Sequence, residues 1–138
     1  MRIHTKLGDI VDIPLPNGSF AFGRLYNDAS IGVYDLIALS SLSVDEISKY
    51  KIRFFSGVFD TYIKNGNWKI IGNIPFEKQD DSWPPAQYIQ DIINPDKYSI
   101  YYKGEIIAAS KEEISGLEQQ IMRKPEELVE LICKTILK

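Results

Sequence analysis

Polar and apolar residues alternate along the first part of the chain with the two-residue period of half-buried strands. Val11-Asp12-Ile13-Pro14-Leu15 and Phe20-Ala21-Phe22-Gly23-Arg24 flank Asn17-Gly18, a dipeptide that supplies the two positive-φ positions of a type I′ hairpin turn. With Asn17 and Gly18 as the loop, Leu15 faces Phe20, Ile13 faces Phe22 and Val11 faces Arg24. Val11, Ile13, Leu15, Phe20 and Phe22 then share one apolar face, and Asp12, Pro14, Ala21 and Gly23 the other. In this register Gly23 leaves a gap opposite Asp12, and Asp9 is the diagonal neighbour of Arg24. An Asp9–Arg24 ion pair is expected at the base of the hairpin. Pro14 cannot donate to a ladder, so its strand should be an edge or turn the missing donor outward.

Further along, Asn27-Asp28 reads as a turn and Ser30 to Ala38 as a strand, with Ile31, Val33 and Ile37 on one face and Tyr34 and Leu36 on the other. Apolar residues on both faces predict a central strand. Ser43 and Glu46 have capping-box spacing and predict a short helix. Lys51 to Ile63 alternates again, and Asn65-Gly66-Asn67 predicts a second hairpin onto Trp68–Ile74. Glu77 to Pro85 carries two prolines and no periodicity, which is a loop. Tyr98–Tyr102 and Glu105–Ala109 predict a third hairpin around Lys103-Gly104.

The last quarter switches to helical period. Ser110 and Glu113 have capping-box spacing before Ile114, Leu117 and Ile121, although Gly116 costs that helix about 1 kcal/mol relative to alanine. Pro125 suits a first helical position, and Leu128, Leu131, Ile132, Thr135 and Ile136 form a stripe with Lys134 and Lys138 at its C-terminal end. Strands first and helices last predict an α+β fold: a curved antiparallel sheet with C-terminal helices packed on it, over residues 1–138 as a single domain. The short meandering strands would suit a partly closed, SH3-like barrel.

The run Gly8-Asp9-Ile10, Ile13-Pro14-Leu15, Asn17-Gly18 and Phe20-Ala21-Phe22-Gly23-Arg24 resembles the opening of the immunity protein 26 family. The resemblance continues through Ile31-Gly32-Val33-Tyr34-Asp35 and Gly66-Asn67-Trp68-Lys69-Ile70-Ile71-Gly72. Members are small bacterial proteins found beside secreted polymorphic toxins. The resemblance implies a non-catalytic protein that docks on a cognate toxin domain and neutralises it. It transfers no contact residues, because the shared positions mark strand starts, an edge proline and a turn.

Charge and composition narrow the partner. A net charge of −3 and a pI near 5.2 argue against a nucleic-acid binder and suit a protein partner with a basic surface. Cys133 is the single cysteine, so no internal disulfide forms and a reducing compartment is the natural reading. The first residues carry no apolar signal core and no run approaches a membrane span, which together predict a cytoplasmic protein. Nothing in the residues specifies an oligomeric state.

Candidate chemistry is sparse. His4 is the single histidine and reads as a solvated terminal residue, and Cys133, beside an apolar stripe, reads as packing. No metal and no cofactor are expected. Asp9, Asp12, Asp35 and Asp60 would serve a carboxylate-pair hydrolase only if two of them converged. Most aromatics occur at strand spacing and read as core. Trp83 does not: it lies in the Pro-Pro loop beside Asp80 and Asp81. It either folds back to seal an end of the sheet or, with those acids as a negative rim, anchors an interface; Asp80, Asp81 and Trp83 are therefore the candidate toxin-binding residues. The competing reading, an SH3-like nucleic-acid module or ribonuclease-type toxin, requires a basic groove and a functional Arg24. Lys and Arg are outnumbered 16 to 19, which weighs against it.

Overall fold

The computed structural model describes residues 3–137; Met1, Arg2 and Lys138 lie outside the described residues, Lys138 among them as the expected helix-end cation. Among the described residues ten strands form two mixed sheets, with one substantial helix at the C-terminal end. The first sheet contains β1 (Asp9–Pro14), β2 (Phe20–Tyr26), β3 (Ser30–Tyr34), β4 (Ile52–Val58), β5 (Ile70–Asn73) and β10 (Met122–Arg123), in the order β10-β4-β3-β2-β1-β5. The second contains β6 (Gln87–Gln90), β7 (Tyr98–Tyr102), β8 (Glu105–Ala109) and β9 (Glu118–Gln119), in the order β8-β7-β6-β9. The fold is α+β with a curved sheet, as predicted. It is not a barrel: β5 and β10 sit at opposite ends of the order and do not meet, and β9 and β10 run parallel to their partners.

The first hairpin forms at the expected place in a different register. Ile13 faces Ala21, Asp12 faces Phe22, Val11 faces Gly23 and Ile10 faces Arg24. Pro16 is the cause. Its ring sets φ near −65°, which suits the second position of a type I turn and pulls the turn one residue towards the N-terminus. The Gly18 N–H donates to the Leu15 carbonyl at 3.0 Å, and the Leu15 N–H to the Ser19 carbonyl at 2.8 Å. Asn17 keeps a negative φ and Gly18 alone takes φ +87°, so the loop is Pro16-Asn17-Gly18 with a left-handed third residue.

One residue of shift exchanges every side chain between faces. Val11, Ile13, Leu15 and Ala21 share one face with Ile31, Val33, Phe54 and Val58, under Leu128 and Ile132 of α3 (Pro125–Ile132). Phe20 and Phe22 lie on the opposite face with Ile10, Tyr34, Leu36 and Ile47. The sheet is therefore covered on both sides. Ile47 belongs to α1 (Val44–Ile47), which starts on the predicted Ser43–Glu46 capping box. Gly23 lies opposite Val11, and a side chain there would overlap Ile31. Among the described residues Asp9 and Arg24 do not pair, since the shifted register points them to opposite faces. Asp9 accepts from Asn73 Nδ2 at 2.9 Å and from the Lys6 N–H at 2.9 Å.

Strand β3 is central and buried throughout, as its two-faced apolarity predicts. Strand β1 is not an edge. Its partner β5 reaches only Asp9 to Val11, and Phe20 exchanges its backbone bonds with Ala38, so no donor is required of Pro14. The second predicted hairpin does not form. After Val58 the chain makes the helical turn α2 (Thr61–Lys64), closed by Gly66 at φ +86°, and β5 crosses to pair with β1 rather than β4.

The predicted helix after Ser110 stops within a turn. Its capping bonds form: Ser110 N–H to Glu113 Oε1 at 2.9 Å, and Glu113 N–H to Ser110 Oγ at 3.2 Å. Gly116 then takes φ +82°, and the next residues extend into β9 and β10. Of the two C-terminal helices predicted, α3 alone forms among the described residues and packs on the sheet; Pro125 opens it, and residues 133–137 continue it as a wider turn.

Candidate functional site

The β7–β8 hairpin is closed by Lys103 and Gly104 at φ +50° and +82°, the two-residue turn expected for it. Alternation then assigns the faces of the second sheet. Tyr101, Gln87 and Glu118 point towards the first sheet: the Tyr101 hydroxyl donates to the Asp28 carboxylate, Gln87 is buried, and Glu118 Oε1 accepts from the Phe55 N–H at 3.1 Å. Tyr88, Tyr98, Ile100, Tyr102 and Ile107 lie on the other face. Tyr88, Tyr98 and Ile100 are half-buried there, and Tyr102 and Ile107 are exposed. Tyr88 and Tyr98 meet edge to face at 6.4 Å, Tyr102 is 45% exposed, and Ile107 is 63% exposed.

A partly exposed face of three tyrosines and two isoleucines is unusual for a solvent boundary, because contiguous apolar surface commonly marks an interaction site. Tyrosine supplies large, stiff contact area with a polar tip, which is why it is enriched at interfaces. At one end of the face Asp91 shapes a loop that presents Ile92 and Ile93, both almost fully exposed. Asp91 Oδ1 accepts from the N–H groups of Ile93 and Asn94 at 2.8 Å each. These bonds, that from Asn94 first, hold its carboxyl below the usual aspartate range.

At the other end the face joins the loop singled out from the sequence. Lys103 Nζ lies 5.0 Å from the Tyr102 ring centre and 3.5 Å from Asp80 Oδ1. Trp83 is half-buried with its ring edge against Gly104, and its loop is fastened to the β2–β3 turn by Asn27, whose N–H and side-chain amide donate to Ser82. Asp80 and Asp81 are exposed on a 3₁₀ turn, with Glu77 and Asp28 exposed nearby in the chain and the fold. The structure thus brings Asp80, Asp81 and Trp83 together and connects them through Lys103 to the tyrosine face. Sequence reading missed that face. Its signal was apolarity on both sides of a hairpin, the same pattern that marks the buried β3.

The remaining candidates are engaged elsewhere. Arg24 donates to the Ile74 carbonyl at 2.5 Å and to the Pro75 carbonyl at 3.2 Å, and its guanidinium lies 3.7 Å from the Phe76 ring centre. It clasps the start of the 75–85 loop. Burial pushes the neighbouring Tyr26 hydroxyl above its usual range, against the opposing pull of Arg24. Arg24→Met should therefore loosen Pro75 and Phe76 and lower stability by about 1.5–3 kcal/mol, the range for bonds to a charged group. A thermal melt checks the loss, and unchanged amide shifts at Pro75's neighbours would contradict its cause. Asp12 is buried and accepts from the Lys69 N–H at 3.1 Å, and it faces away from Asp9. No group of three or more His, Cys, Asp and Glu side chains could hold a metal among the described residues. His4 is exposed. Cys133 is half-buried along an apolar groove of about 680 Å³ lined also by Pro14, Pro16, Tyr62, Trp68 and Val129.

The family model for immunity protein 26 matches residues 6–99, which is 94 of 138 residues and runs from before β1 into β7. The chain belongs to the immunity protein 26 family. The match covers β1 to β5 of the first sheet, the acidic loop, and Tyr88 and Tyr98 of the tyrosine face, and the family resemblance read from residues 8 to 72 lies inside it. No curated protein and no solved structure matches the chain. No helix among the described residues is long and apolar enough to cross a membrane.

Proposed function

We propose that this immunity protein 26 family member acts as a single domain in the bacterial cytoplasm, binding and neutralising a cognate polymorphic toxin domain without bond-making chemistry of its own. Membership of the family carries the reading. The geometry supports a division of labour across the surface. The tyrosine face supplies the apolar contact, and Asp80, Asp81 and Trp83 form its acidic border, complementary to a basic toxin surface.

The test is co-expression with the C-terminal domain of a secreted toxin, sought among the genes beside this one, scored as growth. Rescue by the wild-type chain is the expected outcome, and arrest despite its presence at equal levels refutes the reading. Asp80→Asn combined with Asp81→Asn should slow association several-fold at low salt and lose that effect at high salt, because border charges act mainly on encounter.

A further inference from the structure

Strand β8 is the open edge of the second sheet, and its backbone has two outward-facing residues. The register pairs Tyr102 with Glu105, Ile100 with Ile107 and Tyr98 with Ala109. A two-residue turn is closed by a hydrogen-bonded pair, so Glu105, Ile107 and Ala109 direct their N–H and C=O groups at β7. Ile106 and Ala108 direct theirs away from it, where none of the described backbone bonds reaches them. Edge strands are ordinarily blunted by proline, lysine or a bulge. Glu105-Ile106-Ile107-Ala108-Ala109 has no proline, lysine or bulge and a single charge at its start, and Ile106 and Ile107 are 64% and 63% exposed.

We infer that β8 accepts an extended segment of the toxin as a fifth strand of the second sheet. The inference rests on the toxin-binding reading above and specifies its mode. Two observations choose this occupant over a second copy of the chain. The first is area. A five-residue strand is about 17 Å long and a sheet about 10 Å deep, so joining two β8 edges covers only a few hundred Å². Stable assemblies bury about 1,200–2,000 Å². A toxin that adds a strand to β8 can extend the contact over Tyr102, Ile107 and the acidic loop, whereas an edge-to-edge dimer is limited to the paired strands.

The second observation is charge. Glu105, at the start of the edge, has no salt-bridge partner among the described residues, and Asp80 and Asp81 lie around the turn beyond it. The segment that fits is therefore apolar where it passes Ile107 and basic where it passes Glu105. Main-chain bonds at Ile106 and Ala108 would supply affinity, and the flanking side chains specificity, as in other strand additions.

Ala108→Pro tests this directly. It removes an outward donor and fills the edge with a ring, while every β7–β8 ladder bond is kept. With the toxin domain that the wild-type chain neutralises in the co-expression test, the wild-type chain is expected to bind and Ala108→Pro to bind at least tenfold more weakly, with the same melting temperature. Amide exchange of the wild-type complex, which needs no variant, is expected to slow at least a hundredfold at Ile106 and Ala108. Equal affinities, or unchanged exchange at both amides, overturn the strand addition and leave toxin binding intact. Failure of the wild-type chain to bind overturns both. A dimer that buries β8 in the free protein by sedimentation and exchange overturns the choice of occupant.

Discussion

Phe22→Ala is expected to lower the unfolding free energy by about 3–5 kcal/mol, the range for deleting a buried phenylalanine ring. Phe22 is fully buried in the second core with Ile10, Tyr34 and Ile47. Collapse into the space is restricted, because Ile10 and Tyr34 are held by ladders on either side and Ile47 by a capped helix. For a chain of this size, a loss of that order lowers the melting temperature by roughly 10–20 °C. A double-mutant cycle makes the prediction specific to the register. Phe22→Ala should couple to Ile47→Val, which touches the same cavity, and should add independently to Ile13→Val on the opposite face. Coupling to Ile13 and additivity with Ile47 would restore the register in which Asn17 and Gly18 alone form the turn.

That cycle tests the point where local reading and folded structure part. The alternation of residues 10–25 identified both strands, and two-faced apolarity placed β3 at the centre of its sheet. Which residues face one another depended on whether Asn17-Gly18 or Pro16 controls the turn. The Asn-Gly preference is statistical, whereas the proline ring constrains φ covalently. Similar competition decided Ser110–Arg123. The capping box forms as its residues dictate, yet a helix also needs propagation beyond the first turn, and Gly116 supplies a left-handed exit while β4 and β6 supply strand partners. The crossing of β5 to β1 was hidden for another reason: Asn65-Gly66-Asn67 signals a reversal but does not name the strand that receives the returning chain.

The candidate site was legible in its border and not in its centre. Trp83 stood out because no periodicity called for it in an acidic loop, and it sits beside the surface in question. Tyr88, Tyr98 and Tyr102 did not stand out, because a tyrosine at strand spacing has the same pattern whether its face is covered or open. Coverage is a property of element count: one helix forms where two were predicted, and α3 is committed to the first sheet. The Asp9–Arg24 pair failed with the register that implied it. Arg24 instead fastens the loop that carries Asp80 and Asp81, so a residue read as a local brace controls the site's border from beneath.

Tyr102→Ala is expected to weaken toxin binding about 30-fold, chiefly through faster dissociation, with little change in melting temperature. The size follows from the about 2 kcal/mol typical of a central aromatic anchor, at 1.4 kcal/mol per tenfold. Tyr102 is nearly half exposed before any partner arrives, so truncating it removes little folding energy. Its ring lies where the tyrosine face, the β8 edge and the Lys103–Asp80 contact converge, which places it at the centre of the proposed contact rather than on the rim. Trp83→Ala should behave differently, lowering affinity and stability together, because that ring also packs against the Gly104 turn. Surface plasmon resonance and thermal melts on the two variants separate these effects. Full affinity in Tyr102→Ala alongside lost affinity in Trp83→Ala would move the contact from the sheet to the acidic loop.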